Sequence, residues 1–219
     1  MLWNTVRTVF AHVLDIVFPP SNRTLRVRAK QHEPISLHIR AVELLGKTIH
    51  TLGSYDTPRM KDAIGAAKFE RSIEAQIQLA HILDDYLIDA ALEHAYGHHE
   101  RIIVVPVPLH HTRKQERGCN QVDAILAHTR AVREGFVVYD PQLLTRVRHT
   151  KPQATLSRRE RLENVADAFT CTSPSRHELA AQTIYIIDDV VTTGATLSAA
   201  HDALSQHCKN IELIALARA

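Results

Sequence analysis

The stretch Ile184 to Thr196 reads IYIIDDVVTTGAT. Four strand-forming residues run into two adjacent carboxylates, Asp188 and Asp189. Val190-Val191 follow, and then a small, hydroxylated turn, Thr192-Thr193-Gly194-Ala195-Thr196, that opens a helix. In an open α/β sheet ligands bind beyond the carboxyl ends of the strands, so the acid pair is predicted where a ligand can reach it. Two acceptors side by side match a vicinal diol. The helix mouth beyond them, with unpaired amides and the positive end of the dipole, favours a phosphate. Gly194 permits close backbone approach, and the threonine hydroxyls add donors. A diol site a few residues from a phosphate nest describes a ribose 5-phosphate. Ala195 stands where a nucleoside-triphosphate P-loop would need lysine. The alternative, a structural strand with an acidic turn, leaves two carboxylates at a strand end without a ligand, which is costly.

Stepping outward from this segment, strand signals alternate with helix signals. Ile102-Ile103-Val104-Val105 is a β-branched run suited to a strand buried on both faces, ended by Pro106-Val107-Pro108. Val122, Ile125, Leu126 and Val132 predict a helix, Phe136 to Tyr139 a strand, Thr196 to His207 a helix, and Ile211 to Leu216 a last strand. Such spacing implies parallel βαβ units with right-handed crossovers. Upstream, apolar residues at Val6, Val9, Phe10, Val13, Leu14 and Val17 predict a short amphipathic helix that halts at Pro19-Pro20. Ser21 to Gln31, rich in Arg and Lys, reads as an exposed linker, and Ser36 to Thr48 as a second helix. Thr57-Pro58 starts a long helical region. A break is expected near Gly65, and its core face is read as Ile73, Ile77, Ala80, Leu83, Leu87 and Ala91. No internal repeat is found.

The chain of 219 residues, 45% hydrophobic and 23% charged, is of ordinary globular composition, and 26 Lys+Arg against 24 Asp+Glu leave a charge of +2, too small to imply a nucleic-acid or membrane partner by itself. Fifteen His add positive charge on mild acidification. The apolar stretch Val9 to Phe18, interrupted by His12 and Asp15, falls short of the ~20 residues that span a bilayer, so no membrane insertion is expected. Nor do residues 1–20 supply a clean secretory signal. Three well-separated cysteines, Cys119, Cys171 and Cys208, suit free thiols in a reducing compartment, and a cytoplasmic location is expected.

The segment 184–196 resembles the phosphoribosyl-pyrophosphate (PRPP) motif of type I phosphoribosyltransferases. A wider resemblance covers most of the chain: Val105-Pro106-Val107-Pro108-Leu109, Arg117-Gly118-Cys119-Asn120-Gln121, then Arg146, Arg148, Thr150, Gln153, Leu156, Arg161, Asn164 and Phe169 are similar to the ComF (ComFC or GntX) family. So are Leu14-Asp15, Phe18-Pro19-Pro20, Tyr55 and Lys68-Phe69. That family joins a phosphoribosyltransferase fold to natural competence, the uptake of DNA. Two departures stand out. The family's N-terminal zinc ribbon should begin after the Phe-Pro-Pro, where this chain has Ser21-Asn22-Arg23 and no Cys before Cys119, and Cys119 itself stands where an aromatic is common.

The resemblance implies an α/β fold of the type I phosphoribosyltransferase kind: an open parallel sheet of about five strands flanked by helices, with an N-terminal helical hood. Residues 1–34 would be a helix and linker, and 35–219 the phosphoribosyltransferase-type domain, its hood spanning 35–99. It further implies PRPP bound by Asp188, Asp189, Val190, Thr192, Thr193, Gly194, Ala195 and Thr196, with the two acids serving catalysis. A pyrophosphate loop would be formed by Pro106, Val107 and Pro108 with Arg113 and Arg117, near His110, His111 and Lys114. Those cations suit a diphosphate, although basic runs are often merely solvated surface. Arg146 to Arg161, six cations against Glu160, resembles the flexible loop that closes over PRPP, here with Lys151, Gln153, Arg158 and Arg161.

Pyrophosphate would leave the anomeric carbon through an oxocarbenium-like transition state, with Mg²⁺ carried on PRPP's own oxygens rather than in a protein cage. Thr192 replaces the Asp that purine-salvage relatives place at the first turn position, so the acceptor is left open and no general base is nominated.

Two rival readings stand beside this one. The first is a non-catalytic module that senses PRPP or holds single-stranded DNA, working with a competence helicase; with only 5% aromatics, stacking platforms are few. The second is a metal-dependent hydrolase using His94, His98 and His99 or His110 and His111, for which no third ligand is placed by spacing. Lys68 could reach the site as a phosphate ligand or remain a surface residue.

Overall fold

A computed structural model describes residues 20–97, 101–109, 118–148, 167–172, 179 and 182–219. Its centre is a six-stranded sheet with the order β1-β2-β8-β7-β3-β4. The strands are β1 (Arg40–Leu44), β2 (Lys47–Thr51), β3 (Ile102–Pro106), β4 (Val138–Tyr139), β7 (Thr183–Val191) and β8 (Asn210–Arg218). All neighbours are parallel except β1 and β2. A separate antiparallel pair, β5 (Leu144–Arg146) and β6 (Phe169–Cys171), brackets the Arg-rich segment.

Continuous apolar runs in the central strands follow from burial on both faces. Along β7, Tyr185 and Ile187 pack into one core, and Ile184 and Ile186 into the other. The first core is covered by helices α1 (Asn22–Ala29), α2 (Pro58–Phe69), α3 (Ile73–Gly97), α4 (Gln121–Leu126) and α5 (Arg130–Arg133). The second lies under α6 (Ala195–Ser205) and the β5–β6 pair. The chain is thus mixed α/β, with a mostly parallel sheet between two layers. Among the described residues no helix is long and apolar enough to cross a membrane.

Several expectations need correcting. Ser36 to Thr48 is not a helix: it contains most of a hairpin, β1 paired with β2 from Arg40↔Thr51 to Leu44↔Lys47. Leu45 (φ 55°) and Gly46 (φ 71°) make the tight turn, both left-handed as a two-residue hairpin of right-handed twist requires. Val42 and Ile49 point into the core, so the period is two rather than 3.6. The sheet accordingly gains an antiparallel edge strand beyond the five parallel ones expected, and the hood is not wholly helical.

Ser21 to Gln31 is not a linker. Ser21 Oγ caps α1 by accepting the amides of Arg23 and Thr24 at 3.2 Å each, and Thr24 and Val27 are buried. The charges that made this stretch look like a loop are paired on the next two helices: Arg26 with Asp62 at 2.6 and 2.8 Å, and Arg28 with Glu74 at 2.9 Å.

Gly65 does not break the helical region; it lies inside α2, where a Cβ would come within 2.8 Å of the Arg23 guanidinium. The break falls at 70–72 instead. On α3, Ala80, Leu83 and Leu87 are buried as expected, but Ile73 and Ile77 are exposed, and Ala75, Leu79 and Ile82 are buried as well. The core stripe is therefore rotated from the one expected, because α3 packs against α1, α2 and α4 as well as the sheet. Finally, the helix expected around Val122 to Val132 is two short ones, and β4 keeps only two of the four residues expected between Phe136 and Tyr139.

Candidate functional site

Parallel pairing puts the carboxyl ends of β3 and β7 side by side. Their register closes on Pro106↔Ile187, and the Val107 amide extends it by donating to the Ile187 carbonyl at 2.8 Å. The Pro106-Val107-Pro108 turn therefore lies next to Asp188 and Asp189; the acids do not stand past the end of their strand as expected but within it, where β3 has stopped and β7 runs on to Val191 paired with β8. Asn120 holds the turn from the other side. Its Nδ2 donates to the Val107 carbonyl at 2.9 Å, while its Oδ1 accepts the Val122 amide at 3.1 Å and so caps α4. Gln121 Nε2 in turn donates to the Ile64 carbonyl at 3.3 Å, tying this corner to α2.

Each acid leans on the backbone that follows it. Asp188 Oδ1 accepts the Asp189 amide at 2.8 Å and Asp189 Oδ1 accepts the Val190 amide at 2.7 Å. Asp189 Oδ2 takes Lys68 Nζ at 2.5 Å, an ion pair that joins the last turn of α2 to the end of β7. Burial first, and the neighbouring Asp189 charge second, push the Asp188 carboxyl up to about 7 against the opposing Asp189 amide, Lys68 and Arg146. Asp188 thus sits where ionisation is disfavoured and where added positive charge would favour it.

The turn beyond the acids is shaped by Gly194. Its φ of 79° is left-handed, and a Cβ there would stand 2.8 Å from the Leu44 Cβ and 3.3 Å from the Ile49 Cδ1. The β1–β2 hairpin therefore presses on the mouth of α6, and only glycine satisfies both the angle and the contact. Thr193 Oγ1 accepts the Ala195 amide at 3.4 Å, while Gly194 brings no side-chain cap to the helix. Thr192 is exposed, Val190, Thr193 and Thr196 are half-buried, and Ala195 is buried.

Arg146 enters from β5. It is buried, its guanidinium lies 5.2 Å from the Phe169 ring centre across the pair, and its charge is felt at Asp188. This fixes the root of the Arg-rich segment against α6. Arg113 and Arg117 of the expected pyrophosphate loop and Lys151, Gln153, Arg158 and Arg161 of the expected flexible loop lie outside the described residues, as do His98, His99, His110, His111 and Lys114.

One participant is absent from the sequence reading altogether. Arg71 adopts a left-handed conformation, φ 53°, and its guanidinium lies 2.5 Å from where a Cβ on Gly118 would be. Gly118, itself at φ 75°, leads into the Cys119-Asn120 corner that holds the Val107 turn. Among the described residues no group of three or more His, Cys, Asp or Glu is arranged to hold a metal ion.

With this geometry in view, comparisons with known proteins give the following. No family model matches the chain. It is 32% identical over 169 residues to the "Competence protein F" of Haemophilus influenzae (strain Rd), across 77% of this chain and 71% of that protein. To the "DNA utilization protein YhgH" of Salmonella typhi it is 36% identical over 147 residues, 65% of this chain and 59% of the relative. The protein of that name in Escherichia coli K12 is 33% identical over 150 residues, 68% of this chain and 61% of its own length. The chain belongs to the ComF family. It spans about six-tenths of the length of the two YhgH proteins.

Proposed function

We propose that this protein is a PRPP-binding phosphoribosyltransferase of the type I fold, transferring a phosphoribosyl group to an acceptor of unassigned structure with release of pyrophosphate, in the service of DNA uptake or utilization. The observation that carries the reading is the contiguity of three features: an acid pair on a central parallel strand just past the point where its neighbour stops, a proline turn at the end of that neighbour, and a helix mouth whose glycine is fixed by close packing.

The chain's own residues then divide the work. Asp188 and Asp189 accept hydrogen bonds from the two ribose hydroxyls and favour positive charge developing at the anomeric carbon. The amides of the 192–196 turn and the α6 mouth take the 5-phosphate. The Pro106-Val107-Pro108 turn, pinned by Ile187 and Asn120, offers backbone to the diphosphate. The donor set at the acid pair, two carboxylates of which one is paired with Lys68, fits Mg²⁺ arriving on the diphosphate rather than lodged in a cage. Mg²⁺ held there would supply charge neutralisation at the leaving group. Closure of the segment rooted at β5 and β6 would exclude water from the reacting carbon.

The relatives named for competence and DNA utilization support the biological half of this proposal. They also keep a second reading in play, a module of the uptake machinery that grips PRPP or single-stranded DNA without catalysis. Calorimetric titration with PRPP and Mg²⁺ tests the site. Wild type should bind, and replacing both acids (Asp188→Asn with Asp189→Asn) should weaken binding about 100-fold or more, since each charge-assisted hydrogen bond contributes roughly 1.5–3 kcal/mol. Unchanged binding would reject the assignment. Salt-sensitive DNA binding that survives the double substitution would favour the second reading, and a screen for pyrophosphate release across bases and amines would find the acceptor.

A further inference from the structure

The corner between α2 and α3 brings cations to the candidate site from a part of the chain far from it in sequence. Lys68 and Asp189 are 121 positions apart, and their side chains are only 24% and 15% exposed. Three residues on, the strained Arg71 lies over Gly118, beside the corner that fixes the Val107 turn. One short corner thus faces both the end of β7 and the segment that follows β3.

The Lys68–Asp189 pair occupies an oxygen that a ribose hydroxyl would need. A diol engaging Asp189 must compete with the ammonium. An ammonium displaced in so shielded a place, without another anion, carries a desolvation cost that the lost pair no longer offsets. A donor carrying a diphosphate brings that anion with it. A ribose phosphate lacking the diphosphate does not. Lysine suits such an exchange, being a compact charge on a flexible stem rather than a planar fork locked to one partner.

Resting on the PRPP reading, we infer that Lys68 is a donor-selecting residue: it guards Asp189 in the empty site and passes to the diphosphate of the incoming donor, so that the site favours a ribose phosphate whose anomeric carbon bears a polyanion. The same contact, in the empty state, keeps the paired acids from standing as two bare like charges.

Calorimetric titration of the full chain with PRPP and, separately, with ribose 5-phosphate, each with Mg²⁺, tests this. Wild type should prefer PRPP by 100-fold or more. Lys68→Met should move the two ligands in opposite directions, weakening PRPP by tenfold or more and tightening ribose 5-phosphate several-fold. Lys68→Arg, which keeps the charge but holds the carboxylate as a planar fork, should leave ribose 5-phosphate disfavoured while weakening PRPP less than methionine does. Lys68→Gln, which retains a donor for Asp189 without the charge, gives the same comparison if methionine impairs folding. A structural role for Lys68 would weaken both ligands together, and that result, or no change in either, overturns the inference while leaving the PRPP site standing. Failure of wild type to bind PRPP overturns the site assignment and the inference with it.

Discussion

Carboxylates in the hood and the Asp188 carboxyl on β7 meet opposite electrostatic conditions. In the hood, Asp62 is held below its usual range by its bonds to Arg26. Glu70 and Glu74 also lie below theirs. Burial pushes each up, but Ser21 and Thr24 at the first, and its own amide with Ser72 and Arg28 at the second, outweigh it. On the central strand β7 Asp188 is driven the other way, by burial and by Asp189. The hood's acids have the partners they need from within the fold. Asp188 has the Asp189 amide and the nearby charges of Lys68 and Arg146, which do not outweigh its burial, and a carboxyl perturbed in this way marks a candidate for binding.

Gly194 gives the sharpest way to break this contrast, because it serves both stability and the site. Gly194→Ala would put a methyl 2.8 Å from Leu44 Cβ at a φ of 79°. A loss of about 2–3 kcal/mol is expected from strain and displacement, together with a tenfold or greater fall in PRPP affinity as the α6 mouth shifts. Thermal unfolding and titration measure the two. An unaltered melting temperature would show that the hairpin does not brace the nest.

Next in size is Glu70→Ala, which strips an acceptor from Ser21, Thr24 and Arg23 at once. About 2 kcal/mol should be lost, a fall of roughly 4–8 °C in a chain of this length, with PRPP affinity within twofold of wild type. A large change in affinity would mean that the hood's ion pairs serve the site and not merely the docking of α1.

The same contrast explains what could be read in advance. The stretch 184–196 was legible because its chemistry and its geometry are local: strand, acids, turn and helix follow one another along thirteen residues, and parallel packing dictates which end is open. Pro106-Val107-Pro108 was legible for the same reason. The hood was misread where its order comes from elsewhere. Arg26 and Arg28 look like loop residues until Asp62 and Glu74 are brought beside them. Leu45-Gly46 hides a hairpin turn, since the usual Asn or Asp before the glycine is absent. Lys68 lay open between surface and site because nothing along the chain says that Asp189 waits 121 residues away. Arg71's left-handed backbone, likewise, has no signature in its own side chain.

The smallest effect expected is the most diagnostic, because its sign is reversed. Asp188 titrates near the ordinary ~3.9 when unfolded and at about 7 when folded, so between these values the folded state holds the extra proton. Its contribution to stability therefore falls as pH rises from about 4 to about 7 and remains a fixed deficit above that. Asp188→Asn removes the deficit. The variant should be more stable than wild type by about 1 kcal/mol at pH 8, after allowance for solvent near a half-buried group, and the gain should shrink steadily toward pH 4. Melting temperatures of the two proteins taken pairwise across that range isolate the effect, since the two chains differ at this residue alone. Glu70→Ala run alongside should show the reverse: a loss present at neutral pH that fades only as the medium falls below the usual carboxylate range. An asparagine at 188 that destabilises the fold at every pH would mean that the ionised acid already has its partner inside the protein, and the contrast between the two groups of carboxylates would vanish.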